Sequence, residues 1–267
     1  MNISRIGQQL YRQSRLWITI VLIVGVTLMS CSESAQSDQT VKVNPQLEQQ
    51  ILQVIRQHPE VILESVQAYQ QQQDSQLQQA RQTFLDQIKT NPKAVIGTSP
   101  FTGSEAKNIV LVEFSDFQCP FCARAHDTIG QFMKTHQDQV TLVYKHFPLT
   151  RIHPEALPAA QASWAAQQQG KFWEYQNALF TQQNQLGEAL YPAIAKQLNL
   201  DVEKFNRDRQ SPEAKAAIDK DIQLGESLGI SGTPFFVMNG ETFSGAVELS
   251  KIEEVLATVK ASQGQKK

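Results

Sequence analysis

Cys119-Pro120-Phe121-Cys122 lies just after a run of branched and aromatic residues, Asn108-Ile-Val-Leu-Val-Glu-Phe-Ser-Asp-Phe117. Such an apolar run is typical of a buried strand. Pro120 favours the first turn of a helix, because the N–H that proline lacks would have no partner there. The stretch therefore predicts a strand, a short turn and a helix that begins at Pro120, which places Cys119 at the N-terminus of that helix.

A cysteine at a helix N-terminus is chemically activated. Unpaired backbone N–H groups and the positive end of the helix dipole stabilise the thiolate over the thiol. They lower a cysteine pKa from about 8.5 into a range of roughly 3.5 to 7.5, and the thiolate is the species that attacks disulfides. Cys122 lies one helical turn further on, so its sulfur can bridge to Cys119 or resolve a mixed disulfide. The pattern predicts a redox-active dithiol.

Two other interpretations of the cysteine pair remain open at this point. A zinc site would need two further ligands, for which His126, His146 and His153 are candidates. A purely structural disulfide would gain little, because closing so short a loop removes little entropy from the unfolded chain. The redox pair is favoured over both.

The composition excludes one class of function. The 267 residues are 41% hydrophobic, which is enough for a sizeable core, and the formal net charge is −2. Nucleic-acid binding usually requires a strong positive patch, so we expect no nucleic-acid partner.

Residues 1–30 predict an export signal. Three arginines precede an apolar run, Trp17 to Met29, that is shorter than the roughly 18 residues of a spanning helix. Leu28-Met29-Ser30-Cys31 resembles a bacterial lipoprotein signal, which implies cleavage before Cys31 and lipidation of that cysteine. An uncleaved anchor or a plain secretory signal are the alternatives. Each of them predicts a periplasmic or other extracytoplasmic location, where disulfides persist, and lipidation of Cys31 would anchor the protein to the membrane.

The next segments predict a tether and a helical region. Residues 31–44 are polar and without hydrophobic periodicity, as in a flexible tether. Residues 45–92 show apolar residues at three- and four-residue steps, and a glutamine-rich stretch at 70–79. This N-terminal helical segment is either a solvated spacer or a surface through which the chain forms homo-oligomers.

Residues 93–262 predict a separate α/β domain. Strands at 109–115 and 139–147 flank the helix from Pro120 to about His136, which is a βαβ unit. A helical section follows at about 154–228, whose aromatic residues at helical spacing indicate core packing and not a cofactor site. A hairpin then turns at Asn239-Gly240, before a last helix at about 249–261 and a disordered tail at 263–267.

Four segments together resemble the DsbA-like thioredoxin-fold thiol-disulfide oxidoreductases. They are Val112–His126 with its Cys-Pro-Phe-Cys, Tyr144–Pro148, Gly170–Glu174 and Gly232–Pro234. The resemblance covers about residues 93–262. It implies a thioredoxin fold, β-α-β followed by β-β-α, with a long inserted helical subdomain.

The resemblance also implies roles for individual residues. Cys119 would be the surface nucleophile and Cys122 the shielded cysteine. Pro234 would be a cis-proline facing them, and the backbone of Thr233 would pair with a bound substrate peptide. Pro120 and Phe121 would also contact the substrate.

A buried charge pair is implied beneath this site. Glu113 stands six residues before the first cysteine, where the family has a buried acid, and Lys145 stands where a cationic partner is expected. A charge inside a strand must be paired, so the two would form a proton-transfer and electrostatic device. A plain structural ion pair is the alternative.

The expected function is disulfide formation in exported proteins, with a membrane redox partner that reoxidises the pair and with no bound cofactor. Two departures from the oxidising members are present: Pro120-Phe121 lacks their histidine, and threonine before the cis-proline is common in the isomerase and reductase branches. An oligomeric isomerase or reductase is therefore the alternative. A non-enzymatic lipoprotein chaperone on a thioredoxin scaffold is a more distant one.

Overall fold

A computed structural model of the chain describes residues 44–264. The predicted signal peptide, Cys31 and the tether up to residue 43 lie outside the described residues. The described part divides into two compact units, with the division after Leu63. Within residues 44–264, none of the helices combines the length and hydropathy that crossing a bilayer requires.

The first unit contains helix α1 (Pro45–Gln57) and the start of α2 (Pro59–Thr90). Asn44 caps α1, because its side-chain oxygen accepts a hydrogen bond of 2.9 Å from the backbone N–H of Gln46. In the described structure no residue of α1 is buried. The helix exposes large apolar side chains, namely Leu47, Ile51, Leu52, Val54 and Ile55.

The second unit holds the remainder of α2 and every later element. Its helices and strands are α3 (Pro92–Ile96), β1 (Phe101–Gly103), β2 (Ile109–Ser115), α4 (Pro120–His136), β3 (Val140–His146), α5 (Ala156–Gln167), α6 (Phe172–Thr181), α7 (Leu190–Gln197), α8 (Val202–Arg209), α9 (Pro212–Ser227), β4 (Phe235–Met238), β5 (Glu241–Ser244) and α10 (Leu249–Gly264).

One five-stranded sheet organises this unit, in the order β1-β3-β2-β4-β5. β2 pairs parallel with β3 and antiparallel with β4, while β1 and β5 form antiparallel edges. All seven residues of β2 are buried. A strand covered on both faces explains the continuous apolar run in the sequence. The predicted α/β thioredoxin fold, with its helical insertion between β3 and β4, is confirmed.

The strongest local signals were reliable. Strand 109–115 and the helix Pro120–His136 have the predicted bounds. The hairpin turns at Asn239-Gly240, where φ is +46° and +117°, because Asn and Gly tolerate the positive φ that a tight hairpin turn requires. The last helix continues to Gly264, so helical structure extends into the tail that was predicted to be disordered from residue 263.

Two features differ from the sequence-based prediction. β1 and α3 were not predicted, because three- and five-residue elements among Gly and Pro carry no periodic signal. The second unit also begins before residue 93: the later half of α2 packs into the core through Phe84 and Ile88, beside Val95 and Ile96 of α3. The sparse apolar stripe of the glutamine-rich helix is therefore a core-facing stripe over this half.

The helical insertion forms a core of its own against the cysteines. Phe172, Tyr175 and Phe205 are buried there with Cys119 and Cys122. The aromatics predicted to be core residues are therefore core residues, and the insertion covers one side of the dithiol.

Candidate active site

The two cysteines lie where strand β2 gives way to helix α4. Cys119 is the N-cap residue of α4, and Pro120 occupies its first turn. Both cysteines are free thiols, and both are buried: Cys122 is 0% exposed, as expected, but Cys119, expected at the surface, is only 3% exposed. The predicted position of Cys119 at a helix N-terminus is confirmed.

The two thiols differ strongly in acidity. A hydrogen bond from Cys122 is the main cause that lowers the pKa of Cys119 to about 5; burial opposes it, while Thr233 and nearby backbone N–H groups assist it. Burial raises the pKa of Cys122, and its bond to Cys119 and the charge there raise it further. At neutral pH the pair therefore holds one thiolate, on Cys119, and one thiol.

The loop before β4 faces Cys119. The Thr233–Pro234 peptide bond is cis, as the resemblance implied. Sγ of Cys119 lies 3.4 Å from the carbonyl oxygen of Thr233, to which it donates a hydrogen bond when it is protonated. A groove of about 400 Å³ opens beside this contact, lined by Phe121, residues 229–235, Ser244 and Gly245.

Phe121 forms an apolar surface next to the groove. Its side chain is 50% exposed, and the guanidinium of Arg124 lies 4.6 Å from the ring centroid. The surface at the dithiol therefore combines an exposed aromatic ring with a positive charge, a combination that suits a peptide ligand.

Glu113 lies in β2 beneath the cysteines and is 2% exposed. Burial raises its pKa to about 7, although the nearby Ser115 hydroxyl acts in the opposite direction. Among the described residues neither its Oε1 nor Oγ of Ser115 has a hydrogen-bond partner. The same Ser115 hydroxyl also lowers the pKa of Cys122, which burial raises. The Ser115 hydroxyl is therefore near both the buried acid and the buried thiol.

The predicted pairing of Glu113 with Lys145 is wrong. In the sheet Glu113 lies opposite Tyr144, and Lys145 lies opposite Phe114. Successive side chains of a strand point to opposite faces, so Lys145 is on the other face of the sheet. There its Nζ lies 3.1 Å from Oδ1 of Asp221 and donates to Ser99 Oγ at 2.8 Å.

Two of the three histidines named as zinc candidates have other partners, whereas both ring nitrogens of His146 have no hydrogen-bond partner among the described residues. His126 contacts Asn177 at 3.1 Å and His153 contacts Asp116 at 2.7 Å. Burial lowers the pKa of His146 to about 3. Over residues 44–264 no group of three His, Cys, Asp or Glu side chains is arranged to hold a metal ion.

A model of the DSBA-like thioredoxin domain matches residues 110–257. The chain belongs to this family. Among solved structures, a thioredoxin-like oxidoreductase from Silicibacter pomeroyi DSS-3 is 30% identical with a TM-score of 0.59, and the match covers 64% of this chain and 99% of that one. The thiol-disulfide exchange protein alpha-DsbA2 from Wolbachia pipientis, 20% identical over 67% and 97% of the two chains, has a TM-score of 0.59 and shows the same fold.

Two more comparisons differ in how much they cover. Proteus mirabilis ScsC in a transitional conformation shares the fold with a TM-score of 0.58, at 22% identity over 83% of this chain and 98% of that one. Na(+)/H(+) antiporter NhaA 1 of Mycolicibacterium vanbaalenii is 35% identical over 150 residues, 55% of this chain. The chain spans only 24% of the length of that antiporter.

Sequence reasoning missed two residues of this DSBA-like domain that hold the loop before Cys119. Asp116 accepts backbone and histidine N–H groups, and Gln183 donates from Nε2 to the carbonyl oxygens of Phe117 at 2.8 Å and Cys119 at 2.9 Å. The only signal for Asp116 was an acid at the end of an apolar strand. Gln183 carried none, because it reaches the loop from the helical insertion.

Proposed function

We propose that the chain is a thiol-disulfide oxidoreductase that forms disulfides in exported proteins through Cys119 and Cys122. The observation that carries the proposal is the difference in pKa between the two cysteines. It leaves a thiolate on Cys119, at the helix N-terminus, beside the buried thiol of Cys122. A stabilised Cys119 thiolate favours the reduced form, and a dithiol whose reduced form is stable is a good oxidant.

The reaction begins from the Cys119–Cys122 disulfide. A substrate thiolate attacks Sγ of Cys119, the S–S bond breaks, and its electron pair goes to Cys122, which takes up a proton. A second substrate thiolate then attacks the substrate sulfur of the mixed disulfide and releases Cys119 as a thiolate. The substrate is oxidised by two electrons and the dithiol is reduced by two.

Glu113 is the proposed source of the proton that Cys122 takes up. Its pKa, raised to about 7, leaves a substantial protonated fraction at neutral pH. The Ser115 hydroxyl influences the pKa of both groups and has no hydrogen-bond partner among the described residues, so it is free to turn and pass the proton on. Because Lys145 is on the other face of the sheet, it has no part in this step in our proposal, and its contact with Asp221 is structural.

The substrate is proposed to be an extended, cysteine-containing peptide segment. Its backbone would pair with Thr233, beside Pro234, while apolar side chains would enter the adjoining groove. Pro120 and Phe121 would contact it from the helix, and the exposed ring of Phe121 provides apolar contact area.

The setting of the reaction is also a proposal. The lipoprotein-like signal at residues 1–31 supports a membrane-anchored, extracytoplasmic protein with lipidated Cys31. Each turnover leaves the dithiol reduced, so a membrane redox partner must take the electrons before the next cycle. No bound cofactor is required, because the two sulfurs carry both electrons.

An oligomeric isomerase or reductase is the second candidate. The observation that favours it is the set of apolar side chains that α1 exposes, Leu47, Ile51 and Val54 among them. Exposed apolar surface of this kind commonly marks an association site, and a second copy of the chain would bring several dithiols to one substrate. A monomer in solution would count against this candidate.

The test is oxidative refolding of a reduced, unfolded substrate protein by the oxidised full chain. We expect stoichiometric disulfide formation by the parent chain and none by Cys119→Ser. A chain that forms no disulfides but rearranges incorrect ones would favour the isomerase. A chain that neither forms disulfides in the reduced protein nor rearranges incorrect ones would contradict both candidates.

A further inference from the structure

Asp116 and His153 lie beside the dithiol, outside the chemistry described so far. Resting on the proposed function, we propose that they form a positioning pair that sets the redox equilibrium of Cys119 and Cys122. Neither residue touches the substrate in this scheme; they act through the loop that carries the cysteines.

The carboxylate of Asp116 is an anchor with three contacts. Its side chain is 0% exposed. Oδ1 accepts a hydrogen bond from the Gln118 N–H at 2.8 Å, and Oδ2 accepts from the Leu149 N–H at 2.9 Å. Oδ2 also lies 2.7 Å from Nδ1 of His153. The carboxylate therefore joins the loop before α4 to the loop after β3.

The backbone of the same residue contacts both cysteines. The N–H of Asp116 donates to Sγ of Cys122 at 3.5 Å, and its carbonyl oxygen accepts from the N–H of Cys119 at 3.1 Å. A side chain that is fixed at three points holds this backbone in place. Changes at the carboxylate are thereby transmitted to both members of the pair.

The charge of Asp116 also reaches the buried cluster beneath the cysteines. The pKa of Tyr144 is raised mainly by burial, and Asp116 is among the acidic groups that raise it further. A negative charge near the dithiol opposes a thiolate there. His153, whose side chain is 17% exposed, is the N–H donor that offsets this charge.

The two members of the positioning pair should therefore have opposite effects. In Asp116→Asn the opposing charge is gone, so the Cys119 thiolate and the reduced form are stabilised. In His153→Ala the carboxylate stays and loses its donor, so the thiolate and the reduced form are destabilised. If the two residues had only a structural role, the redox equilibrium of Cys119 and Cys122 would shift in the same direction in both variants.

The experiment equilibrates the full chain and its variants with glutathione buffers and measures the fraction of Cys119–Cys122 disulfide. We expect Asp116→Asn to shift the equilibrium about tenfold towards the dithiol, and His153→Ala about tenfold towards the disulfide, each equal to about 30 mV. His153→Asn keeps an N–H donor near the position of Nδ1, so we expect it to return to within about twofold of the parent.

Two controls complete the design. Asp138→Asn removes an exposed carboxylate and His58→Asn an exposed histidine, and both should leave the equilibrium unchanged. The pH dependence of Cys119 alkylation in the reduced variants gives a second readout. The midpoint pH of Cys119 alkylation should be lower in Asp116→Asn and higher in His153→Ala than in the parent chain.

The outcomes separate this inference from the proposed function. A parent chain that forms no disulfide in any buffer would overturn the proposed function and this inference with it. A parent that forms the disulfide, with both variants unchanged or both shifted the same way, would overturn only the positioning pair, as would failure of His153→Asn to restore the equilibrium. If Asp116→Asn does not fold, the two His153 variants decide, because they leave both backbone contacts of Asp116 in place.

Discussion

Two buried carboxyl groups lie on opposite faces of the central sheet, and only one of them has a cationic partner. Asp221, on α9, has Lys145 Nζ 3.1 Å away and accepts a hydrogen bond from the His146 N–H at 3.1 Å. Glu113, under the cysteines, interacts with Ser115 but has an oxygen without a partner among the described residues. Burial raises the pKa of both carboxyls, but the charge of Lys145 opposes the rise at Asp221. The paired carboxylate therefore contributes to holding the fold together, whereas a carboxyl without a cation keeps its proton more easily and is available for chemistry.

The largest effect is expected from breaking the paired site. In Lys145→Met, Asp221 is left as a buried charge without its cation, and we expect the free energy of unfolding to fall by about 3–5 kcal/mol. Urea denaturation of the oxidised full chain measures this. Lys134→Met, which removes an exposed lysine, should change stability by less than about 0.5 kcal/mol. A loss below about 1 kcal/mol in Lys145→Met would show that the pair is not the structural element described here.

A smaller and pH-dependent effect is expected at Glu113. The native chain keeps this proton up to about pH 7, whereas the unfolded chain loses it near pH 4.5. Between those values the native state binds more protons, so stability falls as the pH rises, by about 3 kcal/mol in total, and does not recover above pH 7.

Glu113→Gln should remove this decrease in stability with rising pH. We expect the variant to match the parent at pH 4 and to exceed its stability by about 3 kcal/mol at pH 8. Urea denaturation of the oxidised chains at a series of pH values measures the difference without interference from thiol ionisation. Parallel stability curves for parent and variant would rule out a raised pKa at Glu113.

The smallest expected effect is the coupling energy between Glu113 and Lys145, which should be close to zero. Because Glu113 and Lys145 point to opposite faces of the sheet, the double variant Glu113→Gln/Lys145→Met should have the summed stability change of the two single variants, to within about 0.5 kcal/mol. A coupling energy above about 1 kcal/mol would indicate that the two side chains interact after all.

The sequence predicted those parts of the molecule that depend on local signals. The apolar run of β2, the Pro120 helix start and the Asn239-Gly240 turn each specify their own conformation, and all three have the predicted bounds or place. The position of Cys119 followed from two of these signals alone.

The parts that were missed depend on how distant segments align. The face on which Lys145 lies is set by the register of β3 against β2, and one residue of offset reverses it. The contacts of Asp116 with Leu149 and His153 likewise form only once the β2 and β3 ends meet. Neither arrangement has a signal within a single segment.

The most direct test of the central claim is the pH dependence of alkylation at each cysteine of the reduced full chain, with mass spectrometry to locate the label. Iodoacetamide reacts with thiolates, so the account predicts that Cys119 is labelled with a midpoint near pH 5, where its pKa lies, while Cys122 stays unlabelled through neutral pH. A Cys119 midpoint near the ordinary value of about 8.5, or equal labelling of Cys122, would contradict an activated thiolate beside a buried thiol.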